Sequence, residues 1–134
     1  MRLLIADDHP WVREGLRCAF SDTEVVIVAE ADTGEGAVLN ALQLDIDVLL
    51  IDLRLPDIDG IDVIMRIKSA RPELPILVYS ANDRADVAER CATAGACGYL
   101  LKGVGRQSLV AAIRAASSGQ EFWGPNGRGS AHRD

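Results

Sequence analysis

The chain has 134 residues, 49% of them hydrophobic, which fits one domain that can bury a core without metal or disulfide staples. Its net charge is −6, and an acidic domain of this size repels DNA and RNA phosphates, so nucleic acid is excluded as a partner of this segment alone. No apolar run reaches the ~18 residues of a membrane span, and the N-terminus meets Asp7 and Asp8 too soon for a signal peptide, so the expected location is cytoplasmic, with no membrane partner.

In chain order, the first apolar run, Leu3 to Ala6, reads as a strand that ends in Asp7-Asp8. From Pro10 to Phe20, Val12, Leu16, Ala19 and Phe20 share one helical face, with Arg13, Glu14 and Arg17 opposite and Pro10 suited to the first turn. Trp11 is expected to pack on or near this helix. Val25 to Ala29 is the second strand. Glu35 to Leu42 forms the second helix, behind Thr33 as its cap. Val48 to Ile51 is the third strand and runs into Asp52. Ile61, Ile64, Ile67 and Lys68 mark a helix after Gly60 that ends before Pro72. Ile76 to Tyr79 is the fourth strand, closed by Ser80. An Ala-rich helix covers Ala85 to Ala94 and stops at Gly95. Tyr99 to Leu101 is the fifth strand, followed by Lys102. Leu109, Ala112, Ile113 and Ala116 make the last helical stripe, which ends near Gly119.

None of the five apolar runs alternates with polar residues, so each reads as a strand buried on both faces of a parallel sheet. Strands alternating with helices, joined by right-handed crossovers, give an α/β fold. The expectation is a doubly wound five-stranded parallel sheet of order 2-1-3-4-5 with five helices, which is flavodoxin-like. Residues 1–119 form that domain. Residues 120–134 are Gly-rich and without period, and read as a flexible tail or the start of a linker. Cys18, Cys91 and Cys97 show no CxxC or Cys/His spacing, which argues against disulfides or zinc; three small buried thiols are expected.

Ligands of such sheets bind beyond the carboxyl ends of the strands, at the switch point of strand order. Asp7, Asp8, Asp52, Ser80 and Lys102 all stand at those ends. With strands 1 and 3 adjacent, three carboxylates share one crevice. A like-charge pair ~4 Å apart costs about 4 kcal/mol at an effective dielectric of ~20. Shared protons or a divalent cation relieve that repulsion, and hard oxygen ligands suit Mg²⁺. His9 alone offers nitrogen, which leaves a zinc or copper reading weak. A carboxylate beside Mg²⁺ can attack a phosphoryl group while an ammonium and a hydroxyl hold its oxygens. Only Lys68 and Lys102 are lysines, against twelve arginines, so the ammonium at Lys102 stands out.

The segments Asp7-Asp8-His9-Pro10, Asp52-Leu53-Arg54-Leu55-Pro56-Asp57-Ile58-Asp59-Gly60, Ser80, and Gly95 through Lys102 together resemble the receiver (CheY-like) domain of response regulators. The opening and the Gly-Tyr-Leu-Leu-Lys end are most similar to the NarL/FixJ (LuxR-type) class. The resemblance covers residues 2 to about 118 and implies a set of roles. Asp52 is the phosphoacceptor. Asp8 and Asp52 ligate Mg²⁺ directly, with the backbone carbonyl of Arg54, and Asp7 acts mainly through a metal-bound water. Lys102 and Ser80 bind the phosphoryl group. Ser80 and Tyr99 are the switch pair, with Tyr99 swinging inward from an edge strand. His9 is a loop residue and not a phosphoacceptor; His132 lies in the tail and is inert. The sequence departs from the common pattern at Gly103, where many receivers have a cis proline, at Leu55, where Met is common, and at Arg54, a cation beside the site that could tune dephosphorylation.

The function implied is that of a two-component receiver. It takes its phosphoryl group from a sensor histidine kinase and switches the face made by helix 4, strand 5 and helix 5. That face forms a homodimer or releases an output, with transcription controlled through a C-terminal helix-turn-helix DNA-binding domain where the full protein has one. The chain is not an enzyme beyond its own phosphoryl transfer and dephosphorylation. The alternatives are a degenerate or stand-alone receiver acting as a protein-interaction module, and a flavodoxin-like cofactor domain or small hydrolase. Asp7-Asp8-His9-Pro10 has the wrong charge to cradle phosphate for the latter, and no GxGxxG or GxxxxGK[ST] occurs.

Overall fold

The computed structural model describes residues 1–123. Its elements alternate: β1 (Arg2–Ala6), α1 (Pro10–Phe20), β2 (Val26–Ala31), α2 (Gly34–Gln43), β3 (Val48–Ile51), α3 (Gly60–Ala70), β4 (Ile76–Ser80), α4 (Ala85–Ala94), β5 (Gly98–Leu101), α5 (Arg106–Ser117) and β6 (Phe122–Trp123). All strand pairs are parallel, in the order β2-β1-β3-β4-β5-β6.

The period of two along each strand divides the core into two layers. Leu4, Ala6, Leu49, Ile51, Ile76 and Val78 face α2, α3 and α4, against Val38, Ala41, Val63, Ile64, Ile67 and Cys91. Leu3, Ile5, Val48, Leu50, Leu77 and Leu100 face α1 and α5, against Leu16, Phe20, Leu109, Ala112 and Ile113. β3, at the centre, is buried at every position. Local signals set the helix ends. Pro10 occupies the first turn of α1, Thr33 Oγ1 accepts the Gly36 N–H at 2.9 Å, and α3 ends two residues before Pro72.

The expected sheet of five strands is corrected to six. Phe122 N–H donates to the Cys97 carbonyl at 2.9 Å, and Tyr99 pairs with Trp123. The start of the segment read as a flexible tail is therefore a strand, and it covers the edge of β5. Gly98 is what admits it, because a Cβ there would lie 2.1 Å from the Phe122 carbonyl oxygen and 2.5 Å from Leu77 Cδ2. The rest of that tail, with His132, lies outside the described residues. β2 also differs: it starts at Val26 and runs to Ala31, and as an edge strand it is mostly half-buried, with Val26 56% exposed. The reading of three buried thiols holds only for Cys91. Cys18 is exposed and Cys97 half-buried. Burial pushes the Cys91 thiol up to about 11, above its usual 9.0, so it stays protonated at neutral pH.

Candidate acidic phosphoacceptor site

The sheet ladder runs one residue past the strands and carries the acids with it. Asp7 N–H donates to the Ala31 carbonyl at 3.0 Å, Asp52 N–H to the Ala6 carbonyl at 2.9 Å and Lys102 N–H to the Ser80 carbonyl at 2.8 Å. Adjacent strands thus deliver their last side chains into one crevice. Its walls are His9, Trp11, Val12, Asp52, Arg54, Ser80, Ala81, Asn82 and Lys102, around a volume of about 420 Å³.

Asp7 and Asp52 are 2% and 4% exposed. Lys102 Nζ bridges them, 2.9 Å from Asp7 Oδ2 and 3.1 Å from Asp52 Oδ2. Burial pulls the ammonium's pKa down, but the Asp7 hydrogen bond and the Asp52 charge outweigh it and hold the group above the usual 10.5. Lys102 is therefore a fixed cation. The His9 ring enters the same cluster, with Nδ1 3.0 Å from Asp7 Oδ1, 3.1 Å from Asp8 Oδ1 and 4.0 Å from Asp52 Oδ2. Arg54 N–H makes a long 3.4 Å contact to Asp52 Oδ1.

Ser80 is buried, and its Oγ accepts the Asn82 N–H at 3.1 Å. Tyr99 was expected to be the switch aromatic that swings inward. It is already buried, β6 takes the edge, and its hydroxyl donates to the Asn82 carbonyl at 2.6 Å. Burial raises the Tyr99 pKa, tempered by the Ser80 hydroxyl. The loop after β5 needs no cis bond: Gly103 has φ of 102°, a conformation open to glycine, and no cis peptide occurs among the described residues.

Asp7, Asp8, Asp52, Arg54, Ser80 and Lys102 stand at this end of the sheet, and Tyr99, inside β5, reaches toward it through its hydroxyl bond to Asn82. Others had been missed. His9 was read as a loop residue next to the site, and it does lie in the loop between β1 and α1; what was not foreseen is that its ring enters the acid cluster, for which its place directly after two acids was the signal. Trp11 was expected to pack; it is 68% exposed, with its ring centroid 4.9 Å from that of His9. Asn82 joins Ser80 to Tyr99, and nothing in the sequence pointed to it. Asp57 caps α2 from another loop, accepting from Gly34 N–H at 2.6 Å and Glu35 N–H at 3.0 Å. Those two backbone donors hold its carboxyl below the usual 3.8.

The donor set fits a hard divalent cation. Carboxylate and imidazole atoms of Asp7, Asp8, His9 and Asp52 lie within 4.8 Å of one another. Asp7 Oδ2 and Asp8 Oδ1 are buried and accept no well-formed hydrogen bond from the described residues; they have only the ion contacts above. Three carboxylates against one ammonium leave negative charge that a cation would neutralise.

The fold and this crevice define a flavodoxin-like α/β domain with an acidic, cation-ready site at the switch point of its sheet. The chain belongs to the response regulator receiver domain family, which residues 3–114 match. It is 32% identical over 126 residues to the response regulator GacA of Pseudomonas aeruginosa, covering 93% of this chain and 59% of GacA. It is 33% identical over 123 residues to the response regulator UvrY of Escherichia coli K12, covering 91% and 56%. Among solved structures, a LuxR-family two-component response regulator from Aurantimonas sp. SI85-9A1 superposes with a TM-score of 0.87 at 31% identity, over 93% of this chain and 90% of that one. The isolated receiver domain of RcsB from Salmonella enterica serovar Typhimurium, solved with the phosphomimetic BeF3−, gives 0.85 at 32% identity over 94% of each. The chain spans 59% of the length of the curated relative GacA. No helix among the described residues is long and apolar enough to cross a membrane.

Proposed function

We propose that Asp52 is a working phosphoacceptor, charged by a sensor histidine kinase in a Mg²⁺-dependent reaction. The observation that carries this is the buried Asp52 carboxylate, 3.1 Å from the Lys102 ammonium, at the mouth of the acidic crevice.

An Asp52 oxygen attacks phosphorus in line. The new O–P bond forms as the P–N bond to the donor imidazole breaks, which gives an acyl phosphate and a free imidazole. Asp8, Asp52 and the Arg54 backbone carbonyl would hold Mg²⁺, with Asp7 behind them. The ion would supply charge neutralisation for the phosphoryl oxygens. Lys102 turns from its two carboxylates to a phosphoryl oxygen, and its raised pKa keeps it charged throughout. Ser80 gives its hydroxyl to another oxygen and loosens from Asn82. Because Tyr99 bonds the same Asn82, the change passes to β5. Hydrolysis of the acyl phosphate resets the domain, so the chain turns over only its own phosphoryl group.

The output is read on the face of α4, β5 and α5, as a homodimer contact or as release of an effector. RcsB dimers have been solved bound to DNA. By that likeness, the longer relatives' transcription control would reach DNA through a separate C-terminal domain where this protein has one. The cell compartment that fits is the cytoplasm.

Intact mass after incubation with acetyl phosphate tests the reading. A gain of one phosphoryl group is expected with Mg²⁺, and none without Mg²⁺ or in Asp52→Asn. No gain under conditions that label an active receiver would make the chain a binding module.

A further inference from the structure

Outside its three acids, the crevice holds one more donor of an unusual kind for a magnesium site. His9 Nδ1 faces two carboxylate oxygens at once, 3.0 Å from Asp7 Oδ1 and 3.1 Å from Asp8 Oδ1. One nitrogen carries at most one hydrogen, so it cannot satisfy both. Asp8 Oδ1 is in fact buried without a well-formed hydrogen bond, while Asp7 Oδ2, on the 2%-exposed Asp7 side chain, faces the Lys102 ammonium at 2.9 Å.

The spacing suits a shared ion better than a shared proton. Around an octahedral ion with ligands at ~2.1 Å, neighbouring donors stand ~3.0 Å apart and opposite ones ~4.2 Å. His9 Nδ1 meets the first spacing twice, and lies 4.0 Å from Asp52 Oδ2. Among the described residues the ring's one side-chain hydrogen bond is the 3.0 Å contact of Nδ1 with Asp7 Oδ1. His9 is the N-cap of α1, yet its side chain makes no capping hydrogen bond. The Trp11 ring lies against it, with centroids 4.9 Å apart.

We propose that His9 Nδ1 is a ligand of the site, and that this nitrogen makes the crevice favour borderline d-block divalent ions such as Ni²⁺ over Mg²⁺. The inference rests on the reading of this crevice as a divalent-cation site. Imidazole adds affinity for borderline ions and little for Mg²⁺, which keeps oxygen ligands and water. In a cell the site would then be open to competition from such ions, with phosphoryl uptake set by which one is bound.

The test uses the full chain carrying His132→Ala, which leaves His9 as the only imidazole of the two in the sequence. Mn²⁺ is added alone, and pulsed electron paramagnetic resonance reads whether a directly coordinated ¹⁴N is present. Calorimetry then compares Ni²⁺ and Mg²⁺ with and without His9→Ala. The expected result is a ¹⁴N coupling that His9→Ala abolishes. His9→Ala should weaken Ni²⁺ about tenfold or more and Mg²⁺ less than about threefold. Mn²⁺ bound with no nitrogen coupling, or Ni²⁺ and Mg²⁺ weakened alike, overturns the ligand role and leaves the acidic cation site standing. Failure of Mn²⁺ and Mg²⁺ to bind at all overturns both.

Discussion

Lys102 shows how one side chain serves both stability and chemistry. It is the only ammonium between two buried carboxylates, and its pKa is held above 10.5 by them despite its own burial. A raised lysine pKa stabilises the fold fully below the ordinary value, and that contribution fades as pH rises through the raised one. The stability difference between the parent chain and Lys102→Met should therefore be flat from neutrality to about pH 10.5 and shrink above it, as read by urea midpoints. Phosphoryl uptake from acetyl phosphate should fall roughly 10²-fold in the same variant, the usual cost of losing one preorganised donor to transition-state charge. A difference that grows with alkalinity would mean that Lys102 is not the charge balancing Asp7 and Asp52. That Asp7, Asp52 and Lys102 meet could be foreseen, because strand ends and residue type suffice to place them. Cys18 and Trp11 could not be placed in the same way. Whether a helix-flanking side chain is exposed depends on what neighbouring elements leave uncovered, and no neighbour is visible from within α1.

At the scale of the element, β6 is the part of the fold that the sequence hid. Phe122-Trp123 is too short for a periodic signal and follows Gly119 and two polar residues. What makes it a strand is tertiary: β5 offers an unpaired edge, and Gly98 leaves room for the Phe122 carbonyl. β2 was misjudged for the complementary reason, since an apolar run carries no mark of lying at an edge. Gly98 thus becomes the residue to change. In Gly98→Ala the new methyl would stand 2.1 Å from the Phe122 carbonyl oxygen, closer than any Cβ is tolerated. The expected cost is about 1–3 kcal/mol, as for other overpacked sites. The specific sign is loss of hydrogen-exchange protection at the Phe122 amide, which now donates to Cys97 at 2.9 Å, while β1 and β3 amides keep theirs. Retained protection at Phe122 would show that β6 does not depend on the glycine. Because Tyr99 pairs with Trp123, such a variant would also show whether the chain after α5 senses the state of β5.

Across the whole molecule, folding and function pull on opposite ends of the sheet. The strand bodies are uniformly apolar, and the two core layers meet through a central strand buried at every position. The carboxyl end instead gathers Asp7, Asp8 and Asp52 around one lysine. Without a cation this end is a local cost that the apolar layers must offset. Asp8 is the acid to test, since its side chain is 34% exposed and makes no contact with Lys102 among the described ion pairs. Asp8→Asn removes one charge from the cluster with little change of shape. Its solvent exposure screens the gain, so cation-free Asp8→Asn should be more stable by on the order of 1 kcal/mol, seen as a higher urea midpoint at unchanged slope. The parent chain should overtake it as Mg²⁺ is added. Ligand held a hundredfold above its dissociation constant adds about 2.7 kcal/mol to a folded state that binds it, and the variant lacks a carboxylate with which to bind. The two stability curves should therefore cross at a Mg²⁺ concentration roughly four to five times the parent's dissociation constant. If Asp8→Asn is the less stable protein in chelator as well, then Lys102 and the contacts around it already offset the charge of the crevice, and the repulsion that argues for a cation there is not present.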